Sequence, residues 1–170
     1  GGMIYMQNIR LTLEYDGSHY QGFEKKQSTN TIAYKLNQAI ERLTGEAVTV
    51  YPAVKTEAGV HAHKQTVHFK LEQSISLDYF MSSLNDILPQ DIAVREIAEE
   101  HERFHASLNL VSCTYQCVLD IGVVPDVFQM KYAIHVGPEL DVIAMKLAAR
   151  HFVGTHDFCH FSAGKSKKNT

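Results

Sequence analysis

Ile9-Arg10-Leu11-Thr12-Leu13-Glu14-Tyr15 alternates, with Ile9, Leu11, Leu13 and Tyr15 on one side and Arg10, Thr12 and Glu14 on the other. A period of two is that of a strand, whose side chains point to opposite faces in turn, so this stretch is a half-buried strand. Residues 16–29 are rich in Gly, Ser and polar residues and form a loop. Beyond it Ile32, Leu36, Ala39, Ile40 and Leu43 recur at helical spacing, with Asn30 as the expected N-cap and Gly45 as the stop. Residues 48–54 read as a second strand that Pro52 demotes to an edge or a bulge. Val67, Phe69 and Leu71 alternate with polar neighbours as a third strand. Ser76 is placed to cap a helix carrying Phe80, Met81, Leu84, Ile87 and Leu88, which Pro89 ends, and residues 92–97 make a fourth strand.

Strand, helix, strand, strand, helix, strand is the ferredoxin-like split β-α-β arrangement, an α+β fold with helices on one face of an antiparallel sheet. The other face is expected to be free to bind something. Residues 3–103 form this N-terminal half, closed by a charged turn at 99–103, and residues 104–170 begin a second, similar unit. In that second unit the odd positions from Val111 to Ile121 are mostly apolar, a long strand, and Leu140, Ile143, Ala144 and Leu147 mark a helix ending near Gly154. One strand and one helix do not bury their own apolar faces, so the second unit is read as incomplete, and the chain as a fragment or shortened form of a longer protein.

The 170 residues are 45% hydrophobic and 21% charged, with 4 prolines and 10 glycines, which excludes a disordered or collagenous chain. A net charge of −3 rules out a generally basic coat, so a polyanionic partner must meet a local patch. Three cysteines, an odd number, argue against a disulfide framework and for a reducing cytoplasm, and no apolar run approaches the length of a membrane helix.

Lys55-Thr56-Glu57-Ala58-Gly59-Val60-His61-Ala62-His63, between two strands, is the most unusual segment. Composition alone favours a solvated turn with Gly59 at positive φ. The sharper alternative is a carboxylate nucleophile or base, Glu57, held at a strand end with a cation tuning its charge. His156, Asp157, Cys159 and His160 raise a metal hypothesis, but no CxxC pair exists and Cys113 and Cys117 fall on an apolar strand face, where buried small hydrophobes are expected; no metal is assigned. Tyr115, on that same face, is by default a core or cross-strand aromatic, and in a cleft it becomes a platform for a base. Lys25 and Lys26, and Lys165, Lys167 and Lys168 in the tail, are solvated surface or phosphate contacts.

Tyr15-Asp16-Gly17-Ser18, Tyr20-Gln21-Gly22-Phe23, Thr56-Glu57-Ala58-Gly59-Val60-His61-Ala62, Leu88-Pro89-Gln90-Asp91-Ile92-Ala93-Val94, Phe104-His105-Ala106 and Gly154-Thr155-His156-Asp157-Phe158 occur in that order. Together they resemble the tRNA pseudouridine synthase A family over roughly the first two-thirds of a typical member. The resemblance implies the pseudouridine synthase fold and a cytoplasmic homodimer that holds a tRNA anticodon arm, flips a uridine and isomerises it without metal or organic cofactor. It puts Glu57 at the catalytic carboxylate and Lys55 at the arginine that helps displace the base. Tyr115 stands at the tyrosine that packs on the uracil. His61 joins these two as a substrate contact, and Lys25, Lys26 and Lys64 are the candidate RNA contacts.

The chain departs from the family pattern where it matters most. Members carry aspartate at Glu57, and the extra methylene moves the carboxylate by about 1.5 Å. Lys55 replaces an arginine and loses its planar fork. Val54 replaces a glycine, and a β-branched residue resists any positive φ the loop needs. Ser107, Cys113 and Phe23 stand for an arginine, a basic residue and a tryptophan. Two readings result: an isomerase whose loop accommodates glutamate, or an inactive relative that keeps the fold and RNA binding. An unrelated RNA-binding module on the same topology is a third, and it requires exposed sheet aromatics.

Overall fold

The computed structural model describes residues 6–161, which fall into two compact units with the boundary after Tyr115. In the first, β1 (Gln7–Tyr15) is central, flanked antiparallel by β3 (Ala62–Leu71) and β4 (Ile92–Glu100), with β2 (Tyr51–Pro52) at the outer edge of β3. The strand order β2-β3-β1-β4, with α1 (Ile32–Thr44) and α2 (Leu77–Ile87) in the connections, is the ferredoxin-like split fold expected from the order of elements. The alternation in β1 is obeyed: Ile9, Leu11 and Leu13 are wholly buried and pack with Val67 and Phe69 of β3 and with Leu36, Ile40, Phe80 and Leu84 of the helices.

Local details differ from the sequence expectation for identifiable reasons. The N-cap of α1 is Thr31, whose Oγ1 accepts from the Tyr34 amide at 3.2 Å; Asn30 instead turns its Nδ2 to the His19 carbonyl at 2.6 Å. Gly45 closes the helix at φ 75°, as expected. The strand expected over 48–54 is only Tyr51–Pro52. Pro52 has no N–H to give to a ladder, and the Val50 amide is taken at 3.1 Å by the Asn37 side chain. Glu99 and Glu100 lie in β4 rather than in a turn. Gln7 Nε2 donates to Glu99 at 2.8 Å and Arg10 Nε to Glu100 at 2.7 Å, which holds the strand end against β1. Between Thr12 and Leu13 the β1–β4 register jumps, from Thr12 opposite Glu96 to Leu13 opposite Val94, so Arg95 is a bulge.

The sheet face away from the helices is not wholly free. Asn8 Nδ2 donates to the His101 and Phe104 carbonyls at 2.9 and 3.0 Å, and the Ala106 amide donates to His68 Nδ1 at 3.2 Å. Phe104-His105-Ala106 is thereby seated on one end of that face. Tyr15 and Phe69 are buried against the helices, whereas Tyr51 of β2 is 47% exposed and stacks on His68, a single exposed aromatic on the described sheet.

The long strand expected over 111–121 is absent. Residues 111–117 pair with no strand among the described residues; the Val118 carbonyl accepts from the Ile134 amide at 2.9 Å, and β5 (Leu119–Asp120) pairs, in parallel, with β6 (Ile134–His135). In the second unit Asp141 caps α3 (Val142–Ala149), accepting from the Ala144 amide at 2.8 Å. Ile143 and Leu147 are exposed, and none of that unit's described residues is buried. Cys113 and Cys117 are exposed free thiols, not the buried hydrophobes expected of an apolar strand face, and Cys159 is likewise exposed and free. Lys165, Lys167 and Lys168 lie outside the described residues. Among the described residues no helix is long and apolar enough to cross a membrane, and no group of three or more His, Cys, Asp or Glu is arranged to hold a metal.

Candidate active site

The loop between β2 and β3 is tied to its surroundings on both sides of Glu57. On the N-terminal side the Gln65 side chain, in β3 and 5% exposed, treats Val54 as a strand partner would. Its Nε2 donates to the Val54 carbonyl at 2.6 Å and its Oε1 accepts from the Val54 amide at 3.4 Å. Thr56 Oγ1 shares a 2.7 Å hydrogen bond with the Tyr15 hydroxyl, and the Thr56 carbonyl accepts from the Phe23 amide at 2.9 Å. After Glu57 the chain turns: the Val60 amide donates to the Glu57 carbonyl at 3.2 Å, with Gly59 at φ 78°.

Two further glycines explain the spacing of the first two motifs. A Cβ on Gly17 would stand 2.0 Å from the Val60 carbonyl oxygen, and one on Gly22 would stand 2.8 Å from that of Thr56. Gly22 also holds φ 90°, open to glycine and costly for other residues. The loop of residues 16–31 therefore lies flush on the backbone that carries Glu57. Gly59 donates its amide to the Tyr20 carbonyl at 3.3 Å, and Tyr20 is anchored by its hydroxyl, which donates to Asp91 at 2.6 Å. Burial, then the Asp91 carboxylate, raises the Tyr20 pKa well above the ordinary phenol value, so this anchor stays protonated.

Against this fixed backbone the Glu57 carboxylate is exposed and has no hydrogen-bond or ion-pair partner among the described residues. The Tyr115 pKa is raised first by a hydrogen bond with the Cys113 thiol, then by desolvation, with the Glu57 charge a smaller cause. Glu57 and Tyr115 both belong to the first unit. Tyr115 is 72% exposed, so it is neither a core nor a cross-strand aromatic.

The other sequence candidates divide. His61 Nδ1 lies 3.0 Å from the Gly17 amide and 3.0 Å from Asp16 Oδ1, so the ring joins the loop to the start of the first motif. Lys55 is not directed at Glu57: its ammonium is paired with Glu24. Lys25, Lys26 and Lys64 are all exposed, the first two beside Glu24 and the third on β3. Val54 does not adopt a positive φ, so its β-branched side chain imposes no strain on the loop. Two hollows of about 480 and 190 Å³ flank the helices, and neither is lined by Glu57, Lys55 or His61. Gln65 was missed from the sequence; a polar residue on the inward face of an otherwise apolar strand was the available signal.

A tRNA pseudouridine synthase family profile matches residues 12–109. The chain is 36% identical over 166 residues to tRNA pseudouridine synthase A 2 of Bacillus cereus, covering 97% of this chain and 68% of that protein. It is 37% identical over 161 residues to tRNA pseudouridine synthase A of Brevibacillus brevis, covering 95% and 66%. With tRNA pseudouridine synthase A 2 of Clostridium perfringens it shares 38% identity over 156 residues, covering 92% and 64%. The chain therefore spans about two-thirds of the length of these relatives. The motifs that brace and carry the Glu57 loop lie inside or beside the matched span, and the chain belongs to the tRNA pseudouridine synthase family.

Proposed function

We propose that this chain carries the reacting half of a tRNA uridine isomerase, with Glu57 as the catalytic carboxylate. The observation that carries the reading is an exposed carboxylate, without a hydrogen-bond or ion-pair partner among the described residues, on a loop whose backbone is held on both sides. Isomerisation to pseudouridine is balanced within the nucleotide. The C1′–N1 bond breaks, the uracil turns, a C1′–C5 bond forms, the C5 proton leaves and N1 gains one. What the protein must supply is a group that meets the developing charge at C1′, a surface for the displaced ring and contacts to phosphate. Glu57, Tyr115 and the exposed Lys25, Lys26 and Lys64 have the chemistry for these tasks. His61 ties the loop to the Gly17 amide through Nδ1, and its ring is the further substrate contact in this reading.

The substrate of this reading is the tRNA anticodon arm, and the acting form is a cytoplasmic homodimer. Neither step requires a metal or an organic cofactor. The second reading, an inactive relative that binds RNA, is favoured by one specific observation: the Lys55 ammonium is already neutralised by Glu24. Pseudouridine mapping of an unmodified tRNA transcript after incubation with the protein separates the two. New pseudouridine in the anticodon arm supports the isomerase; binding without product supports the inactive relative.

A further inference from the structure

We infer that Gln65 is a positioning residue for Glu57, acting through Val54, the Tyr15 hydroxyl and Thr56; the inference rests on the isomerase reading above. Three observations carry it. The β2–β3 ladder ends where Pro52 offers no N–H, and beyond it the Ala53 amide still reaches the Thr66 carbonyl at 2.8 Å. At the next residue a side chain takes over from the backbone: both polar atoms of the Gln65 amide engage both polar atoms of Val54, at 2.6 and 3.4 Å. The same Nε2 also stands 3.4 Å from the Tyr15 hydroxyl, which is 2.7 Å from Thr56 Oγ1.

The chain of contacts thus ends on the residue before Glu57. It runs through buried groups: Gln65 is 5% and Tyr15 3% exposed. A buried amide with both donor and acceptor engaged is costly to leave half-paired, so it holds one geometry. Burial keeps the Tyr15 phenol protonated and available as a hydrogen-bond donor or acceptor. Gln65 and Tyr15 make no direct contact with Glu57. Their part is to set the backbone from which the carboxylate projects, and a misplacement of roughly 1 Å costs on the order of a hundredfold in rate.

The test compares Gln65→Glu, which keeps the shape and removes the donor to Val54, with Thr56→Val and Thr56→Ser. The first two are expected to lower kcat by about a hundredfold with KM for a tRNA transcript within about twofold, while Thr56→Ser, which keeps the hydroxyl, stays within about threefold of the parent. Amide exchange is read in parallel: at Val54, Phe23 and Val60 it should quicken at least ~10-fold in Gln65→Glu and Thr56→Val, with Leu11 and Leu13 of β1 unchanged. Unchanged exchange at the loop, equal loss of protection in β1, or a KM effect with kcat intact would overturn the inference. If the parent forms no pseudouridine, the isomerase reading fails, and the exchange pattern still decides whether Gln65 holds the loop.

Discussion

Replacing Gly17 by alanine puts a methyl carbon 2.0 Å from the Val60 carbonyl oxygen and 2.6 Å from its carbonyl carbon. Ordinary contact needs about 3.5 Å, so one backbone must retreat by roughly 1.5 Å. Both contacts are main-chain atoms, and no side-chain rotation relieves them. The Gly17 amide donates to His61 Nδ1 at 3.0 Å, so the retreat also breaks the tie between the first motif and the loop. Overpacking of this kind costs about 1–3 kcal/mol, which a urea titration reads as a lower midpoint with an unchanged slope. Because Val60 closes the turn on the Glu57 carbonyl, the same retreat moves the carboxylate, and turnover on a tRNA transcript should fall by about a hundredfold. Gly59→Ala is the control: its Cβ meets nothing within 4 Å, so only the cost of φ 78° remains, about 1–2 kcal/mol. Gly17→Ala with parental stability and turnover would refute the claim that the first motif exists to brace the loop.

Thr31→Ala should cost about 1 kcal/mol by loss of the α1 cap, and Asn30→Ala distinctly less, read as urea midpoints; equal losses would return the cap to Asn30. Glu24→Gln frees the Lys55 ammonium: stability should change by less than about 0.5 kcal/mol, since the pair is exposed, while tRNA affinity rises and its salt dependence steepens. An unchanged salt slope would show that Lys55 meets no phosphate. His68 has a lowered pKa in the folded chain, first through burial, then through the charge of His105, with Lys70 adding to it and the Tyr51 backbone opposing. The unfolded chain therefore takes up a proton below about pH 6.5 that the folded chain resists. Stability from this residue is present above that pH and lost as pH falls. His68→Gln, which still accepts from the Ala106 amide, should flatten the decline between pH 7.5 and 5.5 in urea titrations, and identical slopes would remove His68 as its source.

The core of the first unit was legible because two periodicities, the two-residue repeat of β1 and the helical spacing over α1, orient the apolar side chains of those elements. What failed were features set by competition between partners. Thr31 and Asn30 are equivalent as caps in sequence, and only the nearby His19 carbonyl draws Asn30 away. Residues 111–117 carry the strand pattern, but a strand without a ladder neighbour leaves its backbone groups unpaired, and pattern says nothing of neighbours. The same holds in the candidate site. Glu57, Tyr115 and His61 were nameable from residue types and motif resemblance, whereas the Lys55–Glu24 pair and the Gln65 clamp depend on side chains brought together by folding. The glycines of the first two motifs fall between: their presence was visible, and their purpose, close approach to the loop backbone, was not.

Release of tritium from tRNA carrying [5-³H]uridine tests the role of Glu57 most directly, because the C5 hydrogen leaves only when the new carbon–carbon bond is made. The account predicts release by the parent protein and none above background from Glu57→Gln, which keeps the side chain's shape and removes its charge. Equal release from both, in preparations with matching urea midpoints, would contradict it.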